Sequence, residues 1–206
     1  MKKFILVILL LFLLQMSVFS QNLEITDSVN YYDGNWIVAG LIKNNSEDTF
    51  SFVYIGLSAK NSNGQLVHTD STYAFSPILP NSKIPFRFIT SKEDVEDIKT
   101  YNISIDDCRL GGTGTFNYTF SQLSITERNS SFVKYSGEIT NNNNSLKKYV
   151  SIALIGFDKN NKLVYVDTTY PKKSCLPANG TSLFDFLVPP NISSKIKKYR
   201  CIAYSK

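Results

Sequence analysis

A chain that matches itself at a fixed spacing folds as repeated units rather than around one continuous core. This 206-residue chain does so. A shift of about 100 residues places Leu23-Glu24-Ile25-Thr26 on Leu123-Ser124-Ile125-Thr126. At a spacing of 97, Gly40, Ile42, Asn44 and Asn45 fall on Gly137, Ile139, Asn141 and Asn142. The same spacing carries Leu66-Val67 onto Leu163-Val164, Asp70-Ser71-Thr72-Tyr73 onto Asp167-Thr168-Thr169-Tyr170, and Pro80 onto Pro177. After one residue of drift, Phe86-Arg87-Phe88 meets Phe184-Asp185-Phe186, and Ile98 and Tyr101 meet Ile196 and Tyr199. Only small insertions at turn-like sites are needed, so the sequence reads as an internal duplication.

Each copy has the pattern of a β domain. Residues Phe132–Ile139 alternate: Val133, Tyr135, Gly137 and Ile139 share one face, while Lys134, Ser136 and Glu138 share the other. The matching run in the first copy is Trp36–Ile42, and the next strands are Phe52–Leu57 and Val150–Ile155. These end in the polar turns Asn61-Ser62-Asn63-Gly64 and Asp158-Lys159-Asn160-Asn161, whose residues tolerate the positive φ of tight hairpins. The stretch Ser91–Thr100 is the best candidate for a helical turn. About seven strands per copy, half-buried on one face, predict an all-β chain of two tandem immunoglobulin-like antiparallel β-sandwich domains. The first spans 22–105, a Gly-containing connector spans 106–119, and the second spans 120–206. At the end of the connector, the run Thr115–Phe120 alternates and offers an added strand.

The order of motifs resembles that of FxLYD-type domains of bacterial and archaeal secreted or surface proteins. It runs from a strand ending Gly-x-Ile-x-Asn, through a hydrophobic strand, a polar hairpin and Leu-Val, to a Pro-containing turn and Phe-x-Phe. The residues that carry the likeness are Leu154–Val164 and Leu57–Val67, although neither copy has the full Phe-x-Leu-Tyr-Asp string. The resemblance implies an immunoglobulin-like sandwich outside the cytoplasm, and no catalytic residues.

The N-terminus points to the same compartment. Lys2 and Lys3 precede an apolar run from Phe4 to Leu14, with Val18 and Ser20 at the small-residue positions of a cleavage site. Residues 1–20 thus read as a signal peptide that leaves Gln21 first in a secreted, periplasmic or cell-surface protein. The run falls short of the roughly 20 apolar residues of a spanning helix, so no stable membrane span is expected after cleavage; an uncleaved anchor is the alternative. The formal charge of +5 includes both leader lysines. The remaining bias is weak, and no nucleic-acid motif accompanies the basic stretch Lys195–Arg200, which reads as a protected strand edge.

Few side chains suggest chemistry. The chain has one His and 17 acids, without a metal-ligand or catalytic spacing, so neither cofactor nor metal is expected. His68 and Asp70 share a strand face, but copy two has Tyr165 in place of the His. The recurring Asp70 and Asp167 suit backbone or hydroxyl hydrogen bonds that fix a turn, with cation binding as the alternative. Cys175 and Cys201 align with Ile78 and Ile103, core-facing positions where an exported chain could bridge them; buried free thiols are the alternative, and Cys108 is left over. Seven Asn-x-Ser/Thr sequons, including Asn44 and Asn143, are common by chance in so Asn-rich a chain. By strand parity Trp36 belongs in a core, whereas Tyr31 and Tyr32 lie in a local excess of copy one and are the candidate ligand-contact residues.

These readings favour an exported, non-enzymatic module that binds or spaces partners at the cell envelope, a protein or a glycan. The alternative is an envelope enzyme or enzyme inhibitor with a site between the domains, near Asp106, Asp107 and Arg109.

Overall fold

A computed structural model describes residues 22–75, 77–95, 97–112 and 117–205; the leader read at 1–20 lies outside them. The chain is almost entirely antiparallel β, because runs of β-branched and aromatic residues are cut at short intervals by Asn, Gly and Asp. No helix among the described residues is long and apolar enough to cross a membrane. The first half contributes β1 (Leu23–Asp33), β2 (Asn35–Asn44), β3 (Phe50–Lys60), β4 (Leu66–Tyr73), β5 (Lys83–Ser91) and β6 (Thr100–Leu110). They form two sheets, ordered β1-β2-β5 and β4-β3-β6. A 3-10 turn at Lys92–Val95 fills the stretch where a helical turn was expected.

The second half pairs its strands in the same order. It contains β7 (Tyr118–Phe120), β8 (Ser124–Arg128), β9 (Val133–Asn141), β10 (Lys147–Lys148), β11 (Ser151–Phe157), β12 (Leu163–Thr169), β13 (Cys175–Leu176), β14 (Thr181–Val188) and β15 (Lys198–Tyr204), with one helical turn, α1 (Pro190–Ser193). One sheet has β9 between β14 and the β7/β8 pair, and the other runs β12-β11-β15. Six strand positions are thus filled in the two main sheets of each half instead of about seven, with β10-β13 as an added two-stranded ladder in the second. Among the described residues, β6 and β15 are each an edge of their sheet.

Two alignments shift once ladders replace letters. Leu23 pairs with Asn44 and Ile25 with Ile42; Tyr118 pairs with Asn141 and Phe120 with Ile139. The place of Leu23–Ile25 is therefore taken by Tyr118–Phe120 and not by Leu123–Ile125. Pairing also extends into both ends of the segment read as a connector, since β6 runs to Leu110 and β7 begins at Tyr118.

The second shift decides the cysteines. Asn44 is fully buried, and its amide donates to the carbonyls of Asp48 (2.7 Å) and Ile78 (3.3 Å), while the Ser46 N–H donates to its oxygen. Asn141 repeats the arrangement, donating to Ser145 (2.9 Å) and Leu176 (2.8 Å) and accepting from the Asn143 N–H. The counterpart of Ile78 is thus Leu176, not Cys175. One residue of slip turns a strand side chain to the opposite face, so Cys175 stands beside Lys148 in the β10-β13 ladder. Cys201 lies opposite Leu154 on β15, and Cys108, Cys175 and Cys201 are all free thiols. The expected Cys175–Cys201 bridge is not formed. The sequons at Asn44 and Asn143 are spent on these buried hydrogen bonds.

Two cores follow from the two sandwiches, but they touch. Trp36, Val38 and Ile42 enter the first core, as parity predicts for Trp36. The intervening Ile37, Ala39 and Leu41 join the core of the second half. Strand β2 is therefore buried on both faces, whereas β9 alternates between buried and partly exposed positions. In β11, Ile152 through Gly156 are all buried. The outer face of the first half's β1-β2-β5 sheet lies against the second half along β12.

Candidate functional site

The packing of the halves decides which surfaces remain available. At the seam, the Tyr31 hydroxyl donates to the Val166 carbonyl (2.8 Å), and its ring lies 5.5 Å from that of Tyr165. Arg87, opposite Ala39 in the β2-β5 ladder, is ion-paired with Asp167. Asp167 also accepts from the Tyr165 hydroxyl (3.1 Å) and the Thr168 N–H (2.7 Å). Asp70 accepts only the local Ser71 N–H (2.7 Å) among the described contacts. The recurring Asp thus fixes its own strand in both halves, and in the second it also anchors the seam.

Tyr31 and Tyr32 do not form one contact surface. Adjacent strand residues point to opposite faces, so Tyr31 is 7% exposed and belongs to the seam, while Tyr32 is 51% exposed opposite Trp36. Burial pushes the Tyr31 phenol well above its usual range, with Arg87 opposing and Asp167 reinforcing the rise. His68 does not meet Asp70; its Nε2 lies 3.2 Å from Thr90 Oγ1 and its ring edges onto Trp36.

The outer face of the β4-β3-β6 sheet is open and carries aromatic and charged side chains. Strand β3 sends Val53, Ile55 and Leu57 inward, so Phe52, Tyr54, Gly56 and Ser58 face outward. Register places Tyr73 of β4 and Asp107 of β6 on either side of Tyr54. Ring centroids are 5.0 Å apart for Phe52 and Tyr73, 5.1 Å for Tyr54 and Tyr73, and 6.4 Å for the parallel pair Phe52 and Tyr54. Tyr73 is 57% exposed. A cleft of about 440 Å³ continues from this trio past Phe75 to Tyr204, whose rings are 5.6 Å apart.

Polar groups are fixed beside the rings. A bulge in β6, between the rungs Tyr54–Asp107 and Ile55–Ile105, inserts Asp106. Its carboxylate lies over Gly56, where a Cβ would come within 2.2 Å of Oδ2, and the Ser104 hydroxyl donates to Oδ1 (2.6 Å). Bulges re-aim side chains in this way. Asp107 accepts from the Cys108 N–H (2.8 Å), and Arg109 lies opposite Phe52. The three connector residues singled out in the sequence therefore do gather at a candidate site, but on a sheet face and not between the halves. Phe52, Tyr54 and Tyr73 escaped the sequence reading; the signal for two of them was a pair of aromatics at i and i+2 flanked by inward apolar residues.

A second cleft, about 430 Å³, is lined by Lys134, Asp167, Thr168 and Asp185. Both acids there are neutralised. Asp167 pairs with Arg87, and Asp185 with Lys172 (3.0 Å) and Lys134 (3.5 Å). Burial tends to raise the Asp185 carboxyl, but the bond from Ser136 and the two lysines outweigh it and hold it below the usual range. A carboxylate so held is a poor proton donor near neutrality.

No known protein family matches the sequence, and no curated protein matches it. Among solved structures, the chain is similar to red sea bream transglutaminase at a TM-score of 0.29 and 11% identity, over 82% of this chain and 27% of that one. It therefore spans little more than a quarter of that protein's length. It is also similar to the N-terminal CBM22-1-CBM22-2 tandem domain of Xyn10C from Paenibacillus barcinonensis, at a TM-score of 0.21 and 10% identity, covering 89% of this chain and 77% of that one.

Proposed function

We propose that this protein is an exported, non-catalytic tandem β-sandwich that binds a neutral glycan through the Phe52, Tyr54 and Tyr73 face. The observation that carries the reading is the outward-facing aromatic trio, half-buried at Phe52 and Tyr54 and exposed at Tyr73, beside two fixed carboxylates. Aromatic faces receive the C–H faces of sugars, and carboxylates accept from their hydroxyls. Asp106 and Asp107 against the single Arg109 disfavour an anionic chain, so the glycan is neutral.

Two other uses of the first half's surface have no such observation behind them. Strand addition to the β6 edge would need a flat, open ladder, but the bulge and three charged residues blunt it. A second copy stacked as the halves stack would set its Asp70 against Asp185, which occupies the place of Arg87 in β14. Lys134 and Lys172 already neutralise Asp185, so nothing in this pairing selects for such an assembly. Kinship with FxLYD-type domains belongs to this reading and rests on motif order. The carboxylates of the Lys134 cleft are held by cations, which disfavours that cleft as a site for the enzyme alternative.

The discriminating experiment incubates the exported protein with xylan, glucomannan, galactomannan and mixed-linkage glucan, and measures both bound protein and reducing ends released. Binding without release is expected. Release that scales with protein would establish an enzyme and overturn the reading.

A further inference from the structure

The largest described cleft lies at the junction of the halves and has no part in the aromatic face. It is about 590 Å³, within the roughly 300–1,000 Å³ of small-molecule sites. The first half supplies the end of β2 and the loop into β5, and the second supplies β7 and β15. Its floor is apolar, with Ile84, Phe120, Ile202 and Ala203, while Lys43, Lys83 and Arg200 line its rim. No acidic residue lines it; Asp27 lies 3.8 Å from Lys83, and Glu24 stands opposite Lys43 in the β1-β2 ladder, where it accepts from the Asn45 amide.

Arg200 is the informative member. Its guanidinium donates to the Lys83 carbonyl (3.3 Å), and among the described residues no carboxylate lies within ion-pair distance of it. The residue is exposed overall, yet its guanidinium is desolvated enough to lower its pKa. A cation partly withdrawn from water without a counter-charge is stabilised by an anion brought to it. An apolar floor alone would suit any greasy ligand; the rim selects the charge.

We infer that this cleft binds a single-chain amphiphile with an anionic head, the head at Lys43, Lys83 and Arg200 and the chain over Phe120 and Ile202. Lys83 already shares Asp27 and Lys43 faces Glu24 across the ladder, so Arg200 supplies the uncompensated charge. The site is independent of the glycan reading, and either can fail alone.

The test is calorimetric titration of the exported protein with dodecanoate and dodecyl phosphate, below their micellar concentrations. Octanoate, dodecyl maltoside and acetate serve as comparison ligands. Dodecanoate or dodecyl phosphate is expected to bind, and the ratio between the two identifies a carboxylate or a phosphate head. Affinity should fall about fourfold per methylene removed toward octanoate, with acetate and dodecyl maltoside at least tenfold weaker. The double variant Lys43→Gln/Arg200→Gln should lose at least tenfold in affinity with an unchanged melting temperature. Location is read from Cys201, which lines the cleft. Bound dodecanoate should slow its alkylation and leave that of Cys108 and Cys175 unchanged. Absence of binding by both anionic amphiphiles, equal binding of dodecyl maltoside, full affinity in the double variant or unprotected Cys201 would each overturn the inference.

Discussion

Tyr31 donates its hydroxyl to the carbonyl of Val166, a residue 135 positions further along the chain, at 2.8 Å. This single bond joins the outer face of one sandwich to the edge strand of the next. Beside it, Ile37, Ala39 and Leu41 enter the second half's core, so the two halves are one packed body rather than beads on a linker. Tyr31→Phe keeps the ring against Tyr165 and removes only the hydroxyl. The loss of the bond and the unpartnered carbonyl should cost about 1–2 kcal/mol in urea unfolding. An unchanged midpoint would mean that the seam does not depend on this contact.

The buried amides of Asn44 and Asn141 close equivalent loops in the two halves. Each donates to carbonyls more than 30 residues away that have lost water as partners. Asn141→Ala should destabilise by about 2–4 kcal/mol, since several buried groups lose partners at once. Asn44→Ala should do the same to the first half. Chemical denaturation of both variants checks the equivalence; a small effect at one site alone would show that the two loops are held differently.

Gly56 has another purpose. A methyl group there would meet the Asp106 carboxylate, the movable end of a side chain, and not backbone. Gly56→Ala should therefore change stability by under about 1 kcal/mol. It should nevertheless displace Asp106 and weaken glycan binding severalfold. Affinity and melting temperature measured on one sample separate the two effects. Unchanged affinity would remove Asp106 from the site.

The three thiols are open to direct chemistry. Mass spectrometry of the unreduced, denatured protein should show three alkylated cysteines, with no mass change on prior reduction. Burial pushes the Cys201 thiol up to about 12, from an ordinary value of 9.0. Below pH 9 its thiolate should be scarcer than in the unfolded chain by a factor on the order of 1,000, with alkylation slowed to match. A Cys201 that reacts as fast folded as unfolded would contradict the burial.

Much of the fold was legible because strands announce themselves. The clean alternation of Val133–Ile139 fixes which face of β9 is inward, and Asn-rich turns mark the hairpins. The contrast with β2 is also present in the residues: Trp36–Ile42 lacks alternation, the mark of a strand covered on both faces. Counting identities could not locate Cys175, because a one-residue slip between Tyr73 and Ile78 leaves the letters similar and reverses the face. Nor could it separate Tyr31 from Tyr32, since nothing local says that a second domain covers one side of β1. The aromatic site depends on register across β3, β4 and β6. Tyr54 and Tyr73 meet only through the bulge at Ala59/Lys60 and the hairpin turn that follows it.

The central claim is that Phe52, Tyr54 and Tyr73 hold a neutral sugar chain. Affinity electrophoresis in gels containing xylan, glucomannan, galactomannan or mixed-linkage glucan tests it most directly. Wild type should be retarded by at least one polysaccharide. Tyr73→Ala and Phe52→Ala should each weaken that binding about tenfold, on the scale of a lost aromatic contact, while Tyr32→Ala, away from the face, should migrate as wild type. Retardation by none of the four, or retardation that survives both ring deletions, would contradict the account.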